Sequence, residues 1–208
     1  MRSLVTKSSF IVSLLCSYVI NASDNNDFVD LLEPISSISG AFTQTIFDSE
    51  GHELERSQGI FKIARPDKML WEIKTPLEQK IISNGEFLWL YDPDLEQVII
   101  ESTELSFNKS PIALFTGDLS LISQRYEIKS KSTESHSDFL LTPLDTSSMF
   151  LEIRVYFIEG SPRGISLLDR FNHKTTITFD KVELNPAMAD SSFNFIPQPN
   201  LDIINNVQ

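Results

Sequence analysis

The sequence predicts an α+β protein built on an antiparallel β-sheet that curls into an incomplete barrel. Short runs of β-branched and aromatic residues, separated by turn-forming residues, recur from Ala41 to Leu184. Helical spacing is confined to a few short stretches between them. Because a twisted sheet of about ten strands seldom stays open and flat, we expect this sheet to be curved.

The segment 59–97 shows the clearest strand pattern. Asn84-Gly85 is its strongest hairpin signal, because both residues tolerate a positive φ. In the run 87–91, aromatic residues alternate with leucines, so both faces are apolar. A half-solvated strand would be polar on one face, so helices must cover both sides or one side must line an apolar cavity. Breaker dipeptides divide the segment into four short strands: Arg65-Pro66, Thr75-Pro76, Asn84-Gly85 and Asp92-Pro93.

Before this segment, the sequence predicts one helix and one strand. Acidic and amide side chains at 24–27 can cap a helix over 28–32, whose apolar residues recur at helical spacing. Pro34 limits the length of that helix or kinks it. The β-branched and aromatic run 41–47 then predicts a strand.

After the segment, the pattern predicts a strand over 98–101, a polar loop over 102–109 and a short helix over 110–115, with proline at its first position. A second helical piece is expected over 119–123. The rest of the chain returns to predicted strands, which are Arg125–Lys129, Phe139–Thr142, Phe150–Ile158, Gly164–Asp169 and Lys174–Leu184.

The first 22 residues have the pattern of a secretory signal peptide. Two basic residues precede an apolar run over 10–20, and Ala22 offers a cleavage site. That run is too short for a good membrane span. The only cysteine, Cys16, lies within this leader, and Leu15 fits poorly as the small residue that precedes a lipidated cysteine. We therefore expect an exported, soluble protein without disulfides, with one domain over residues 23–208.

Composition narrows the class of partner. The net charge of −12 argues against nucleic acid or an anionic bilayer as a standing partner. It permits attraction to a basic protein surface, but the simpler interpretation is that it serves solubility alone. Phenylalanine greatly outnumbers tyrosine and tryptophan, with 15 Phe against 4 Tyr and 2 Trp. Phenylalanine adds apolar area without a polar group.

No residue pattern in the sequence indicates catalysis. The three histidines lie far apart without ligand-spaced partners, so we expect no metal site and no cofactor. Neither a nucleophile elbow nor a P-loop is present. The stretch 106–109 matches S-x-x-K, but without companion motifs a four-residue pattern of this kind arises by chance. We therefore predict a binding protein and no enzyme.

The motifs resemble those of a known family. The order of RPxxxxW, an apolar strand, NG, LWLYDP and LEQ is similar to the periplasmic lipoprotein carriers of Gram-negative bacteria, the LolA family. Weaker similarity continues through nearly the whole chain after the leader, with Phe42 and Gln44 in an FxQ strand and 193–197 in a closing F-x-F-x-P element. The resemblance implies that the helical region 110–123 forms a lid over the open mouth of the sheet.

The resemblance also implies function and partners. A carrier of this family is a periplasmic monomer. It accepts acylated lipoproteins from an inner-membrane releasing ABC transporter complex and passes them to an outer-membrane receptor. Three acyl chains of ~15 methylenes, at ~0.8 kcal/mol each, represent roughly 36 kcal/mol of unfavourable hydration, which an apolar cavity would remove.

Arg65 is the residue with the most specific predicted role. Its guanidinium can donate five hydrogen bonds, and the resemblance implies that it latches the lid closed. The alternative is a strand-end arginine paired with Asp67.

Core packing is an equally good interpretation of the apolar residues that could form the wall and lid of a cavity. These residues are Phe42, Phe61, Met69, Trp71, Leu88, Leu90, Ile112 and Leu114.

Met69 departs from the family pattern, which often has phenylalanine there, and its particular role need not carry over.

Alternatives to the carrier function remain at this point. One is the related outer-membrane acceptor, itself a lipoprotein. Another is a generic exported lipid-binding or sensor domain, and a third is a hydrolase.

Overall fold

The computed structural model describes residues 23–103 and 113–207. Within those ranges the strands form one twelve-stranded, curved and unclosed sheet. The strands are β1 Ser37–Phe47, β2 Glu53–Ala64, β3 Lys68–Thr75, β4 Gln79–Asn84, β5 Phe87–Asp92, β6 Gln97–Ser102, β7 Tyr126–Ser132, β8 His136–Pro143, β9 Phe150–Ile158, β10 Ser161–Asp169, β11 Lys174–Leu184 and β12 Asp202–Asn205.

The strand order confirms the predicted fold class and shows how the two halves join. The order is β12-β6-β5-β4-β3-β2-β1-β11-β10-β9-β8-β7, so the early and late hairpins meet where β1 pairs with β11. Two features differ from the sequence prediction. The described sheet has twelve strands, and β12 pairs with β6 in parallel rather than antiparallel.

The helices are short. They are α1 (Ser23–Leu32), α2 (Ala113–Thr116) and α3 (Ile122–Arg125), with 3₁₀ turns at Leu119–Leu121 and Asp190–Phe193. The predicted second helical piece is thus a 3₁₀ turn that continues into α3. In the part of the chain that the structure describes, no helix has the length and apolarity needed to cross a bilayer.

Some sequence predictions lie outside the described residues. These are the leader over 1–22, the predicted loop beyond Thr103 and the beginning of the predicted helix over 110–115.

The concave face of the sheet holds the main apolar core. The register places Phe61 opposite Trp71, and Trp71 opposite Ile81, so these side chains share a face. Phe42 stacks on Trp71 with ring centroids 3.8 Å apart, and both are buried. The same apolar cluster includes buried side chains of α1, α2 and α3. The helices therefore cover the concave face.

The C-terminal segment, residues 186–207, covers the convex face near β3, β4 and β5 with its part 190–195, and its last strand β12 extends the sheet beside β6. Phe193 is fully buried there, and the ring of Phe195 lies 5.1 Å from that of Tyr91. Nζ of Lys68 donates to a carboxylate oxygen of Asp190 at 2.7 Å, which ties the segment to the sheet. This explains why the run 87–91 is apolar on both faces.

Gly59 allows β2 and β3 to approach closely beside the aromatic stack. A Cβ at this position would lie 1.9 Å from the carbonyl oxygen of Glu72 and 2.8 Å from a ring carbon of Phe42. No side chain fits such a distance to the backbone, so only glycine permits this local pairing.

Candidate functional site

The helices α1, α2 and α3 and the chain between α2 and α3 form one cover over the concave face, which we call the lid. Its buried apolar side chains point into the core cluster. The ring of Phe28 meets Phe139 edge-on at 5.0 Å between centroids, and Phe115 meets Phe179 at 6.2 Å. The buried lid side chains are Phe28, Leu32, Leu114, Phe115 and Ile122.

Arg65 joins two parts of the lid to the sheet. It follows the last residue of β2, in the turn 65–67. Its Nε donates to the carbonyl oxygen of Phe115 in α2 at 3.0 Å, and its Nη1 donates to that of Leu32 in α1 at 2.9 Å. Its backbone N–H also donates to the carbonyl of Ser36 at 2.9 Å. One guanidinium thus holds the end of α1 and α2 together.

The electrostatics of this contact are unusual for an arginine. Burial lowers the pKa of the Arg65 guanidinium, although an arginine stays protonated at neutral pH. Within the described residues no carboxylate pairs with it, so the predicted alternative, an ion pair with Asp67, is not formed. Hydrogen bonds from a charged group contribute about 1.5–3 kcal/mol each, and desolvation of an unpaired cation offsets much of that. The Arg65 contacts alone therefore stabilise the closed arrangement only modestly.

A second set of contacts supports the turn that carries Arg65. The backbone N–H of Asp67 donates to the carbonyl of Thr116 in α2 at 3.2 Å. The fully buried hydroxyl of Ser83 donates to the carbonyl of Asp67 at 2.8 Å. Because these bonds involve backbone atoms and a serine, no sequence pattern pointed to them.

Asp67 also faces a second carboxylate. Burial raises the pKa of the Asp67 carboxyl, and the nearby negative charge of Asp118 raises it further. Asp118 lies in the lid, where its side chain accepts from the backbone N–H of Ser120 at 2.9 Å. Hydrogen bonds from the Ser120 hydroxyl and from this backbone N–H lower the pKa of Asp118. Two negative charges therefore oppose each other between the turn and the lid.

The structure brings together most of the predicted cavity residues. Those on strands lie on the concave side, and Leu90 is the one that is only partly buried. Leu114 is buried in α2, whereas Ile112 lies outside the described residues. In this closed arrangement they pack against each other and the lid. Those that join the concave cluster are Phe42, Phe61, Met69, Trp71, Leu88, Leu90 and Leu114.

The prediction missed other members of the same cluster. Phe28 lies on the predicted apolar helical stripe but is not among the predicted site residues, although the stripe was the signal that could have identified it. Phe115 and Phe179 carried no comparable signal, since single phenylalanines in a strand or a short helix are common core residues.

A separate groove of about 520 Å³ is a poor candidate for an apolar ligand. Charged side chains of Lys74, Asp180 and Lys181 line it, together with polar groups such as Gln58. It does not include any lid residue. An apolar ligand would therefore be expected under the lid rather than in this groove.

Comparison with known proteins agrees with this architecture. Residues 33–196 match the family model described as "Outer membrane lipoprotein carrier protein LolA". The outer-membrane lipoprotein carrier protein of Pseudomonas paraeruginosa is 34% identical over 174 residues, which is 84% of each chain. That of Pseudomonas entomophila is 33% identical over 198 residues, which is 93% of this chain and 96% of the relative.

Two solved structures share the fold. A LolA-superfamily protein from Nitrosomonas europaea superposes with a TM-score of 0.52 at 13% identity, covering 84% of this chain and 99% of its own. An uncharacterized conserved protein from Thermus thermophilus gives a TM-score of 0.56 at 10% identity, covering 87% and 98%. With the family model matched over most of the sequence, the chain belongs to the LolA family of outer-membrane lipoprotein carrier proteins.

Proposed function

We propose that this protein carries acylated lipoproteins across the periplasm, from a releasing ABC transporter complex in the inner membrane to a receptor at the outer membrane. It acts as a monomer, with residues 23–208 as one carrier domain after cleavage of the leader near Ala22. The observation that carries the proposal is an apolar concave face under a lid that one half-buried arginine fastens to it. The carrier names of its relatives support the same function.

The energetics favour displacement of the lid by cargo. Five large apolar lid side chains are buried against the sheet. At about 1.5–3 kcal/mol each, exposing them costs roughly 8–15 kcal/mol. Three acyl chains, with roughly 36 kcal/mol of unfavourable hydration, exceed that cost when they take the place of the lid on the concave face.

Arg65 gives the cycle a reversible step. When the lid moves, its two hydrogen bonds to the carbonyls of Leu32 and Phe115 are exchanged for water, and no proton needs to move. When a receptor draws the acyl chains away, the lid side chains and the guanidinium rebind the concave face. The lid thus competes with cargo, and this competition favours release.

The test is capture of cargo by the purified 23–208 chain. Inner-membrane vesicles carrying labelled lipoproteins are incubated with the protein and ATP, and the supernatant is analysed by size exclusion. We expect a one-to-one complex of carrier and lipoprotein. The matched control is the same lipoprotein without acyl chains, which should give no complex. Absence of a complex with the acylated form would refute the carrier function.

Lid closure should strengthen when the negative charge of Asp67 is removed. The pKa of Asp67 is raised above its ordinary value of 3.8 in the closed state, so protonation of this carboxyl favours closure. Closure therefore becomes more favourable as the pH falls from above the raised pKa to about 3.8. Asp67→Asn mimics the protonated form and suits the positive φ of 54° at this residue. With a detergent added that opens part of the population, we expect this variant to raise the ratio of closed to open lid a few-fold at pH 7 and to lose the pH dependence that Asp67 causes.

Spin labels at Asp30, on α1, and Glu86, in the turn after β4, would report the distance between lid and sheet by pulsed electron resonance. Asp94→Asn, at an exposed turn away from the lid, is the control and should behave as the parent protein does. A distance distribution that is unchanged in Asp67→Asn across this pH range would contradict the prediction.

A further inference from the structure

The turns at one end of the sheet form a surface whose composition differs from that of the other end. The strand pairing places five chain segments at the end opposite the Arg65 turn, since Phe47 pairs with Lys174 there and Asp92 with Gln97. We call these segments the distal rim. They are the turns 76–78, 93–96, 144–149 and 170–173, and residues 48–54, which comprise the turn 48–52 and the first two residues of β2.

Every segment of the distal rim exposes a large apolar side chain. A single exposed apolar residue is ordinary, but the strand order places these side chains on successive turns along one end of the sheet, so they form a row. At the opposite end of the described sheet, the turns 65–67, 85–86, 133–135 and 159–160 contain no large apolar residue, and Leu184, the last residue of β11, is 41% exposed beside them. The apolar rim side chains are between 55% and 78% exposed, and they are Leu54, Leu77, Leu95, Leu144, Met149 and Phe171.

Hydrogen bonds hold the central rim turns in fixed conformations. Oδ1 of Asp169 accepts from the backbone N–H groups of Phe171 and His173, each at 2.8 Å. The guanidinium of Arg170 donates to the carbonyl of Ser148 at 2.6 Å and also to the carbonyl of Thr146. The Phe171 turn and the Met149 turn are therefore linked. A preorganised surface loses little conformational entropy when it binds a partner.

The negative charge of the distal rim favours a basic protein surface over an anionic membrane as its partner. Its segments contain seven carboxylates, of which Glu53 is paired with Arg56 on β2, and a single arginine, Arg170, whose guanidinium is bound to backbone carbonyls. A surface of this sign is repelled by anionic phospholipids and attracted by basic protein surfaces. The carboxylates are Asp48, Glu50, Glu53, Glu78, Asp94, Glu96 and Asp145.

The rim also touches the lid. The backbone N–H of Leu144, on the rim, donates to the carbonyl of Arg125, the last residue of α3, at 2.9 Å. A partner bound to the rim therefore lies beside one end of the lid, while the Arg65 turn at the other end of the sheet stays uncovered.

We propose that the distal rim docks onto a protein partner that presents a basic surface with apolar pockets. This inference rests on the proposed carrier function, and the partner is the membrane protein complex that delivers the cargo. The apolar tips supply the buried contacts, and the carboxylates around them supply the attraction and the orientation.

The test uses a variant that combines Leu77→Ser, Leu95→Ser and Phe171→Ser. These positions are exposed tips of three different turns, so the fold should be retained. The control variant combines Ile196→Ser and Ile203→Ser, which are exposed on the C-terminal segment. Binding is measured to inner-membrane vesicles that contain the releasing complex and to protein-free vesicles of anionic phospholipids.

We expect the parent and control proteins to bind the complex-containing vesicles and not the protein-free ones. The rim variant should bind the former at least about tenfold more weakly, the usual consequence of truncating central apolar contacts. Equal binding by the rim variant overturns the proposal, as does equal binding of the parent to protein-free vesicles. Capture of cargo from detergent micelles requires no docking, so its failure would instead count against the carrier function.

Discussion

Replacing Arg65 with leucine is expected to slow the transfer of bound lipoprotein to outer-membrane vesicles by about tenfold while the fold is retained. The substitution removes two hydrogen bonds from a charged donor, and part of that loss is offset because a buried cation disappears. The lid then competes less well with acyl chains for the concave face. Cargo should therefore load normally and be released slowly, as measured by the half-life of the carrier–lipoprotein complex.

Two further substitutions make this prediction specific. Arg65→Lys keeps the charge but lacks the planar fork that reaches both the Leu32 and Phe115 carbonyls, so an intermediate release rate is expected. Arg163→Leu changes an exposed arginine on β10 and should have no effect. Release at the parental rate from the Arg65→Leu carrier would remove this arginine from the mechanism.

Much of the sheet could be predicted from local patterns. The predicted limits of the strands at 150–158 and 174–184 agree with β9 and β11, because turn residues border these apolar runs. Gly85, in the predicted Asn84-Gly85 turn, has a φ of 97°, as a tight hairpin requires. Alternation within the run 87–91 also identified which residues share a face of the sheet. Leu88 and Leu90 face the concave core, whereas Tyr91 faces the C-terminal segment on the other side.

The C-terminal segment could not be predicted in the same way. β12 has four residues, and it pairs with β6, which lies about 100 residues earlier in the chain. A run that short has too few alternations to show a period, and parallel pairing leaves no hairpin signal. The buried position of Phe193 depends on this long-range contact, so nothing around that residue in the sequence indicates what it packs against.

The candidate site, too, could be predicted only in part. Arg65 could be identified because Arg65-Pro66 begins the RPxxxxW motif, in which the family resemblance implies that the arginine latches the lid. This role remains a prediction. Its acceptors are backbone carbonyls of Leu32 and Phe115, and every residue carries a carbonyl, so no residue type could have indicated them. The repulsion between Asp67 and Asp118 likewise arises only when the lid folds back over the turn.

A disulfide between α2 and the Arg65 turn should abolish cargo uptake. The backbone N–H of Asp67 lies 3.2 Å from the carbonyl oxygen of Thr116, which places the two residues side by side. Neighbouring backbones at this separation suit the roughly 5.5–6 Å between Cα atoms that a disulfide prefers. In the variant with Asp67→Cys and Thr116→Cys, we expect uptake from membranes to fall about a hundredfold or more when the disulfide forms, because the lid can no longer leave the concave face.

The chain offers a clean control for this experiment. Residues 23–208 contain no native cysteine, so the engineered pair forms the only possible intramolecular disulfide. Adding a reductant should restore uptake in the same sample, and each single cysteine variant should take up cargo under both conditions. Because a disulfide stabilises the closed fold, a higher melting temperature must accompany the loss of uptake. Full uptake by the oxidised protein would show that acyl chains enter without movement of α2, and the cavity would then have to be sought away from this part of the lid.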